Sequence, residues 1–565
     1  MPPIPPAHYA TGGDLLVAVL RELGIDTVFG IVSVHNLPLV EAVDRELRFV
    51  PVRHEATAVN AADAYGRARG SLGCALTSTG TGAGNAAGSL VEALSAGTSV
   101  LHVTGQVEAE FLGSGRGFIH ETKDQLGMLG AVSKYAATIT STDTAAHILR
   151  EAARSALTPP GGPASVEWPV DLQYAEQGDV RLGDAELQHD SSGASSVGGA
   201  RLSGRPLPAE GELAAAWALL AAARRPLIWA GGGATRARAR ARVAELLHAT
   251  GAGLLTSNSG RGSVPEDHPQ VIGNFATTPA ARALLADADL LLTVGTHFRS
   301  NETADYGLVL PEAHIQIDID AAALGRVYPA RHALHGHASD VLAALLPHAR
   351  RAEESWTHRV AAVREDVRAA LHDNIGPQAA ICDALRAALP REAVVARDVT
   401  IPSSSWGNRL LEMYDPRDNV FPRGGGIGQG LGMGIGAALA RPGAPTVVLA
   451  GDGGLAVHLG ELLTLAQERP RLTLVVFNDG GYGVLRNMQD RYSERRSGVD
   501  LATPDFELLA RACGLAYARI AAEEHARPVI SHAVASDGPT LVEVDLASLG
   551  PMKNPFTPPV KIPGQ

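Results

Sequence analysis

The sequence predicts an α/β protein built from parallel sheets covered by helices. Short apolar runs alternate with amphipathic stretches over nearly the whole length, which is typical of βαβ units. Several of these runs end in glycine and polar residues, as strands do where they enter turns. With 565 residues the chain is long enough for roughly three or four domains.

Composition and charge argue against several classes of protein. The chain is 45% hydrophobic and 19% charged, and its net charge of −12 provides no basic surface for nucleic acid. Apolar runs such as "LIWAGGG" have the length of strands and are too short to cross a membrane. The three cysteines contain no CxxC pair, and the N-terminus lacks the pattern of a signal peptide. We therefore expect a cytoplasmic protein with neither a nucleic-acid nor a membrane partner.

Changes in composition predict the domain boundaries. Residues 1–180 form a first α/β domain, and residues 181–205 form a linker rich in glycine and polar residues. A central α/β domain covers 206–350, a charged helical linker covers 351–375, and a third α/β domain covers 376–565. The first and third domains have similar sizes and a similar rhythm of strands, which indicates a duplication at the level of whole domains.

Two aspartates follow predicted strands in the third domain. Asp452, in "VVLAGDGG", and Asp479, in "VVFNDGG", both come directly after aliphatic runs. In open α/β sheets, ligands bind at the carboxyl ends of the strands. The segment "GDGG" also begins a predicted helix, whose first amide groups suit a diphosphate, and two carboxylates with diphosphate oxygens form a shell that Mg²⁺ prefers. The alternative is that Asp452 caps a helix and Asp479 lies in an ordinary turn.

The spacing of GDG and the Asn-Asp strand end resembles the signature of thiamine-diphosphate (ThDP) enzymes. The subgroup that it resembles contains acetolactate synthase, benzoylformate decarboxylase and benzaldehyde lyase. The resemblance implies that Asp452, Asp479 and the main-chain carbonyl of Gly481 bind Mg²⁺. It also implies cofactor contacts at Gly451, Gly453, Gly454 and Tyr482. Asp479 stands where asparagine is commoner, and we interpret it as a tolerated variant that adds negative charge beside the metal.

Two segments of the first domain agree with this resemblance. Glu55, in "FVPVRHEATAVNAADAYGRA", matches the glutamate that hydrogen-bonds the pyrimidine ring of ThDP in the family. The alternative is that Glu55 is a first-turn glutamate favoured by the helix dipole. The segment "TSTGTGAGNAAG" (77–88) matches a first-domain loop of the family at Gly82 and Asn85.

A glycine-rich segment of the third domain, "FPRGGGIGQGLGMGIGAALA", provides a further match. Glycines allow a backbone to approach a ligand closely. The resemblance implies that Ile427 supports the bent conformation of ThDP and that the Gly425 carbonyl accepts from its aminopyrimidine. The alternative is a glycine-rich helix that packs tightly on a sheet.

Two histidines are candidates for proton transfer to or from a substrate. His35 falls where benzaldehyde lyase has an active-site histidine, and His120 falls where acetolactate synthase has a glutamine. Each could instead be a polar loop residue satisfied by the backbone. Two further positions depart from acetolactate synthase: Asn301 replaces an arginine linked to FAD, and Met488 replaces a tryptophan. FAD is therefore doubtful as a cofactor.

The resemblance implies three consecutive doubly wound parallel-sheet domains: pyrimidine-binding, central and diphosphate-binding. It implies ThDP and Mg²⁺ as cofactors and a homodimer or homotetramer with active sites at the subunit interface. The expected activity is decarboxylation of a 2-oxo acid, with carboligation of the product to a second carbonyl compound. The alternatives are cleavage or ligation of 2-hydroxy ketones or 2-hydroxyacyl-CoA compounds, and a non-catalytic subunit with a ThDP fold.

Overall fold

The computed structural model describes residues 7–180, 196–197, 200–201 and 205–558, and it contains three six-stranded parallel sheets. The predicted α/β class with three sheet domains is confirmed. Most of the predicted linker at 181–205 lies outside the described residues. None of the helices in the described ranges combines the length and the apolar character that a membrane crossing requires.

The first sheet has the strand order β3-β2-β4-β5-β7-β6, and β1 pairs with β8 in a separate antiparallel ribbon. Strands β2, β4, β5 and β7 are buried along their whole length, as expected for apolar runs covered by helices on both faces. In chain order the elements are β1 (Ala7–Tyr9), α1 (Gly12–Glu22), β2 (Thr27–Gly30), α2 (Leu37–Glu46), β3 (Arg48–Pro51), α3 (Glu55–Arg69), β4 (Gly73–Thr77), α4 (Thr81–Ala96), β5 (Val100–Gln106), α5 (Gln125–Val132), β6 (Tyr135–Thr138), α6 (Thr142–Leu157), β7 (Pro163–Pro169), α7 (Val170–Tyr174) and β8 (Gln177–Val180).

The central sheet has the order β13-β12-β11-β14-β15-β16. Its elements are preceded by a short antiparallel pair, β9 and β10. In chain order they are β9 (Ser196–Val197), β10 (Ala200–Arg201), α8 (Glu210–Ala222), β11 (Pro226–Ala230), α9 (Gly232–Arg236), α10 (Arg240–Thr250), β12 (Gly253–Thr256), β13 (Val271–Gly273), α11 (Pro279–Asp287), β14 (Leu290–Val294), β15 (His314–Asp318), β16 (His332–His335), α12 (Ala338–Leu345) and α13 (Glu354–Asn374). The long helix α13 buries Trp356 and Val360 in the hydrophobic core that the central and third sheets share.

The third sheet has the order β18-β17-β19-β20-β22-β21. Its elements are α14 (Gln378–Ala388), β17 (Val394–Arg397), β18 (Asn419–Val420), α15 (Gly430–Ala440), β19 (Thr446–Gly451), α16 (Asp452–Leu455), α17 (Glu461–Glu468), β20 (Leu472–Asn478), α18 (Gly483–Tyr492), α19 (Phe506–Ala512), β21 (Ala516–Ile520), α20 (Glu523–Ala535), β22 (Thr540–Asp545) and α21 (Leu546–Leu549).

The first and third sheets share one topology. Counted from β2 and from β17, the six parallel strands of both sheets follow the order 2-1-3-4-6-5. The central sheet instead follows 3-2-1-4-5-6. In each sheet the order reverses beside its first strand, and a crevice for a ligand forms at such a reversal, at the carboxyl ends of the strands. In the third sheet the reversal lies between β17 and β19, which is where Asp452 is found.

Helices α3 and α15 join the first domain to the third. Glycines make the close contact possible: a Cβ atom on Gly436 would lie 2.0 Å from the carbonyl oxygen of Ala61, and one on Gly432 would lie 2.9 Å from Thr57 Cγ2. The glycine-rich segment thus divides into two parts. Residues 430–440 form a helix packed at short distance, and residues 424–429 form the loop before it.

Candidate active site

The two predicted metal ligands lie together at the edge of the third sheet. Asp452 follows β19 and Asp479 follows β20, the neighbouring parallel strand. The Asp479 amide nitrogen lies 3.4 Å from Asp452 Oδ1. Asp452 is only 3% exposed, and its Oδ2 has no hydrogen-bond partner. A buried acceptor without a partner is costly, so this oxygen suits a cation.

Electrostatics at this pair also favour a cation. Burial, followed by the neighbouring Asp452 carboxylate, raises the pKa of Asp479 from 3.8 to about 6. Burial raises the pKa of Asp452 as well. Arg486 compensates in part, since its Nη1 lies 3.6 Å from Asp479 Oδ2. A divalent cation between the two carboxylates would stabilise both in their ionised form.

The backbone segments that follow the two aspartates pack closely against neighbouring backbone and side-chain atoms. A Cβ atom on Gly453 would lie 2.9 Å from the Gly481 carbonyl oxygen and 2.9 Å from the ring of Tyr482. Gly481 has φ +147°, and a Cβ atom there would lie 2.1 Å from the carbonyl oxygen of Val499. Over the described ranges, no group of three or more His, Cys, Asp or Glu side chains is arranged around a metal position. Two carboxylates and one carbonyl therefore fit Mg²⁺ only if diphosphate and water complete the shell.

The helix predicted after "GDGG" is shorter than expected. The structure divides it into α16, a 3₁₀ turn at Ala456–His458, and α17. The turn places His458 Nδ1 2.8 Å from the carbonyl oxygen of Gly428. This contact ties the segment after Asp452 to the glycine-rich loop, which one straight helix would not achieve.

Glu55 is the first residue of α3 and is half-buried. Asn85 Nδ2 donates to Glu55 Oε2 at 3.0 Å, and a Cβ atom on Gly82 would lie 2.9 Å from Glu55 Oε1. The helix is capped by the preceding residue, since His54 Nδ1 accepts from the Ala56 amide at 3.2 Å. Glu55 is therefore not needed to cap the helix. The structure brings Glu55, Gly82 and Asn85 together, the three residues of this domain that are predicted to contact the cofactor.

The two predicted catalytic histidines lie side by side. The ring centroids of His35 and His120 are 5.5 Å apart. His35 is 8% exposed with no partner at Nδ1, whereas His120 is exposed and has its Nδ1 3.4 Å from Ser78 Oγ. Burial and the neighbouring His120 lower the pKa of His35. A neutral histidine beside an exposed one can accept a proton at neutral pH.

Sequence reasoning missed two polar residues that follow β17, the strand beside β19. A Cβ atom on Gly451 would lie 2.9 Å from Thr400 Oγ1, so Thr400 lies against the Asp452 turn. Asp398 accepts the amide N–H of Gly428 at 3.0 Å and that of Gly430 at 3.1 Å. Burial raises the pKa of Asp398 to about 6. The signal was present, because "VVARDVT" is an apolar run ending in aspartate, like the runs before the two metal-site aspartates.

The predicted residues form two groups within one chain. Across the described residues, no hydrogen bond or ion pair joins Glu55 to Asp452 or Asp479. The groups approach one another at His54 and His458, whose ring centroids are 4.9 Å apart.

Three arginines, Arg236 and Arg299 of the central domain and Arg423 of the third, meet at the end of α4. Arg236 Nη1 donates at 2.7 Å and Arg423 Nη1 at 3.3 Å to the carbonyl of Ala96, the last residue of α4. Arg299 Nη2 donates at 2.8 Å to the preceding carbonyl. These guanidinium groups tie the central and third domains to the end of α4.

Family models match all three domains. The N-terminal thiamine pyrophosphate (TPP) binding domain matches residues 10–128, the central domain of thiamine pyrophosphate enzymes matches 213–345, and the C-terminal TPP binding domain matches 402–544. The chain belongs to the thiamine pyrophosphate enzymes. The predicted family and its cofactor, thiamine diphosphate, are confirmed.

Similar proteins of this family cover almost the whole chain. A probable 2-ketoarginine decarboxylase, AruI of Pseudomonas aeruginosa, is 34% identical over 521 residues, or 91% of this chain and 90% of its own. The large subunit of acetolactate synthase isozyme 2 from Escherichia coli is 28% identical over 95% of this chain and 96% of its own. An acetolactate synthase from Mycobacterium bovis is 30% identical over 94% of this chain and 87% of its own.

Proposed function

We propose that this protein is a ThDP- and Mg²⁺-dependent enzyme that decarboxylates a 2-oxo acid and can transfer the remaining fragment to a second carbonyl compound. The observation that carries the proposal is the pair of carboxylates on neighbouring strands: Asp452 is buried with one oxygen unpartnered, and Asp479 is half-buried. The names of the relatives, a 2-ketoarginine decarboxylase and acetolactate synthases, support this class of reaction.

In this proposal the third domain holds the charged end of the cofactor. Asp452, Asp479 and the Gly481 carbonyl bind Mg²⁺, and the glycines at 453 and 454 leave room for the diphosphate. The Gly425 carbonyl accepts from the aminopyrimidine, and the side chain of Ile427, which is 38% exposed, supports the bent cofactor. When bound here, ThDP would supply the nucleophilic carbon and the electron sink that decarboxylation of a 2-oxo acid requires.

The first domain supplies the proton chemistry. Glu55 hydrogen-bonds a ring nitrogen of the pyrimidine, and Asn85 fixes the direction of its carboxyl group through the bond at 3.0 Å. His35 and His120 face the substrate, and the lowered pKa of His35 keeps it neutral and able to accept a proton.

We further propose that two copies of the chain complete each site. Helix α4, which carries Asn85, also exposes two apolar residues, Val91 (48% exposed) and Leu94 (38% exposed). The third domain also exposes an apolar residue, Val457, near its metal site. A surface of this kind is typical of an interface between subunits. We place the enzyme in the cytoplasm as a homodimer or homotetramer, and its three free cysteines suit a reducing compartment.

A second candidate is cleavage or ligation of 2-hydroxy ketones. The buried His35, with its unpartnered Nδ1 next to His120, favours this reaction, because it needs a base for a hydroxyl proton.

Analysis of the products distinguishes the two candidate reactions. With ThDP and Mg²⁺, the purified protein is offered pyruvate, 2-oxobutyrate, benzoylformate and 2-ketoarginine, and both CO₂ and ligation products are followed. CO₂ from one of these acids supports the proposal, and its absence from all of them, with ThDP bound, supports the hydroxy-ketone reaction.

A further inference from the structure

The glycine-rich loop at 424–430, here called the wedge loop, is held by carboxylates from two domains. Glu92, on α4 of the first domain, accepts the backbone N–H of Gly424 and that of Gly426, the latter at 2.6 Å. Asp398, in the third domain, accepts two further N–H groups near the end of the loop. Every second amide group from 424 to 430 is therefore bound to a carboxylate.

Gly425 and Ile427, the two residues of the loop that we expect to contact ThDP, lie between these anchored amide groups. Gly425 has φ +97°, a conformation that favours glycine, and the Ile427 side chain is 38% exposed. Because anchored amides flank both residues, the anchors determine where the Gly425 backbone and the Ile427 side chain lie. A shift of Glu92 would move both.

Glu92 itself is buried, with only 5% of its surface exposed. Its two carboxylate oxygens are bonded by backbone N–H groups of the loop. A Cβ atom on Gly424 would lie 2.8 Å from the carboxyl group, so the loop packs directly against it. A buried carboxylate held in this way depends on those bonds, and the loop depends equally on the carboxylate.

Helix α4 connects this contact to the Glu55 side of the site. Its first turns carry Asn85, which bonds Glu55 at 3.0 Å, and its end is fixed by arginines of the other two domains. Asn85 and Glu92 are seven residues apart, which is roughly 10 Å along a helix. One helix thus supports both Glu55 and the wedge loop, which would belong to the two neighbouring sites of a dimer in which each site joins two subunits.

We propose that Glu92 is a positioning residue for the cofactor site: it holds the wedge loop so that Gly425 and Ile427 meet ThDP. The inference rests on the proposed function, since it assumes that ThDP lies against these two residues. A glutamine at position 92 has one carbonyl oxygen in place of two acceptors, and its amide group would face an N–H of the loop. Glu92→Gln should therefore loosen the loop without adding or removing bulk.

The test measures Mg²⁺-dependent ThDP binding to the full-length protein by titration calorimetry, together with the melting temperature without cofactor. Glu92→Gln should weaken ThDP binding by about 10- to 100-fold, the range expected when a hydrogen bond to a charged acceptor is lost. It should also change the near-ultraviolet circular dichroism of bound ThDP. Glu92→Asp keeps the charge and should recover part of the affinity. If the glutamine variant does not fold, the aspartate variant undergoes the same measurement.

The matched control is Asp418→Asn, another buried carboxylate of the third domain, which pairs with Arg441 and has no contact with the wedge loop. It should lower the melting temperature and leave ThDP affinity and the dichroism unchanged. If the wild type binds ThDP and the Glu92 variants show unchanged ThDP affinity and dichroism, Glu92 does not position the wedge loop. Failure of the wild type to bind ThDP would instead refute the proposed function.

Discussion

Protonation of Asp479 should control the binding of Mg²⁺. Its carboxyl group has a pKa of about 6 without metal, because it is buried next to Asp452. Mg²⁺ binds only the ionised form, so a proton must leave before the metal enters. Below pH 6 the apparent dissociation constant should rise about tenfold per pH unit, and between pH 7 and pH 5 it should rise by a factor of about 10.

The assay is titration of the protein with Mg²⁺ in the presence of a fixed excess of ThDP at pH 7, 6 and 5, for the wild type and for Asp479→Asn. Asparagine cannot be protonated in this range, so the variant should show a much shallower dependence. The phosphate groups of ThDP also titrate, but they do so equally with both proteins, and the ratio of the two constants isolates Asp479. Equal pH dependence in the two proteins would refute the reasoning.

The same pKa predicts how the stability of the cofactor-free protein depends on pH. Asp479 binds its proton more tightly in the folded protein, with a pKa of about 6, than in the unfolded chain, where the value is 3.8. Between about pH 4 and pH 6 the folded state therefore holds more protons, and stability falls as pH rises. The loss is at most about 3 kcal/mol, and Asp479→Asn should abolish it. Chemical denaturation across this pH range measures the difference.

Four further predictions concern the other site residues. Asp452→Ala should abolish Mg²⁺-dependent ThDP binding, and retained binding in a calorimetric titration would exclude Asp452 as a ligand. Glu55→Gln should retain bound ThDP and lose nearly all CO₂ release, and a fully active variant would favour a non-catalytic role for Glu55. His35→Ala should lower turnover by about 100-fold with little change in ThDP affinity, and equal effects on both would indicate a structural histidine. A last test concerns whether residues of two subunits form each site. In that case an equal mixture of Glu55→Gln and Asp452→Ala chains, refolded together, should recover about a quarter of wild-type activity. No recovery would place Glu55 and Asp452 in one subunit.

Local patterns in the sequence predicted where two of the strands end. A run of β-branched and aliphatic residues precedes both Asp452 and Asp479, and the structure places these aspartates at the ends of neighbouring strands. The same pattern at Asp398 belongs to the next strand of the sheet. It was missed because no family motif drew attention to it.

Contacts between distant segments were not predictable. His35 and His120 are 85 positions apart: His35 follows β2, His120 lies in the loop after β5, and these two strands flank β4 in the sheet. Glu92 and Gly424 are separated by 332 positions, and nothing local in either segment indicates the bond between them. The segment after Asp452 contains a 3₁₀ turn at Ala456–His458, and His458 contacts the carbonyl of Gly428, which lies 30 positions away in the chain.

CO₂ release from 2-oxo acids, measured with protein stripped of metal and cofactor, shows whether the reaction depends on ThDP and on Mg²⁺ bound at Asp452. We expect no CO₂ from the stripped protein, release after ThDP and Mg²⁺ are added together, and no release from Asp452→Ala under the same conditions. Decarboxylation that is independent of added ThDP, or that is undiminished in Asp452→Ala, would contradict the proposed function.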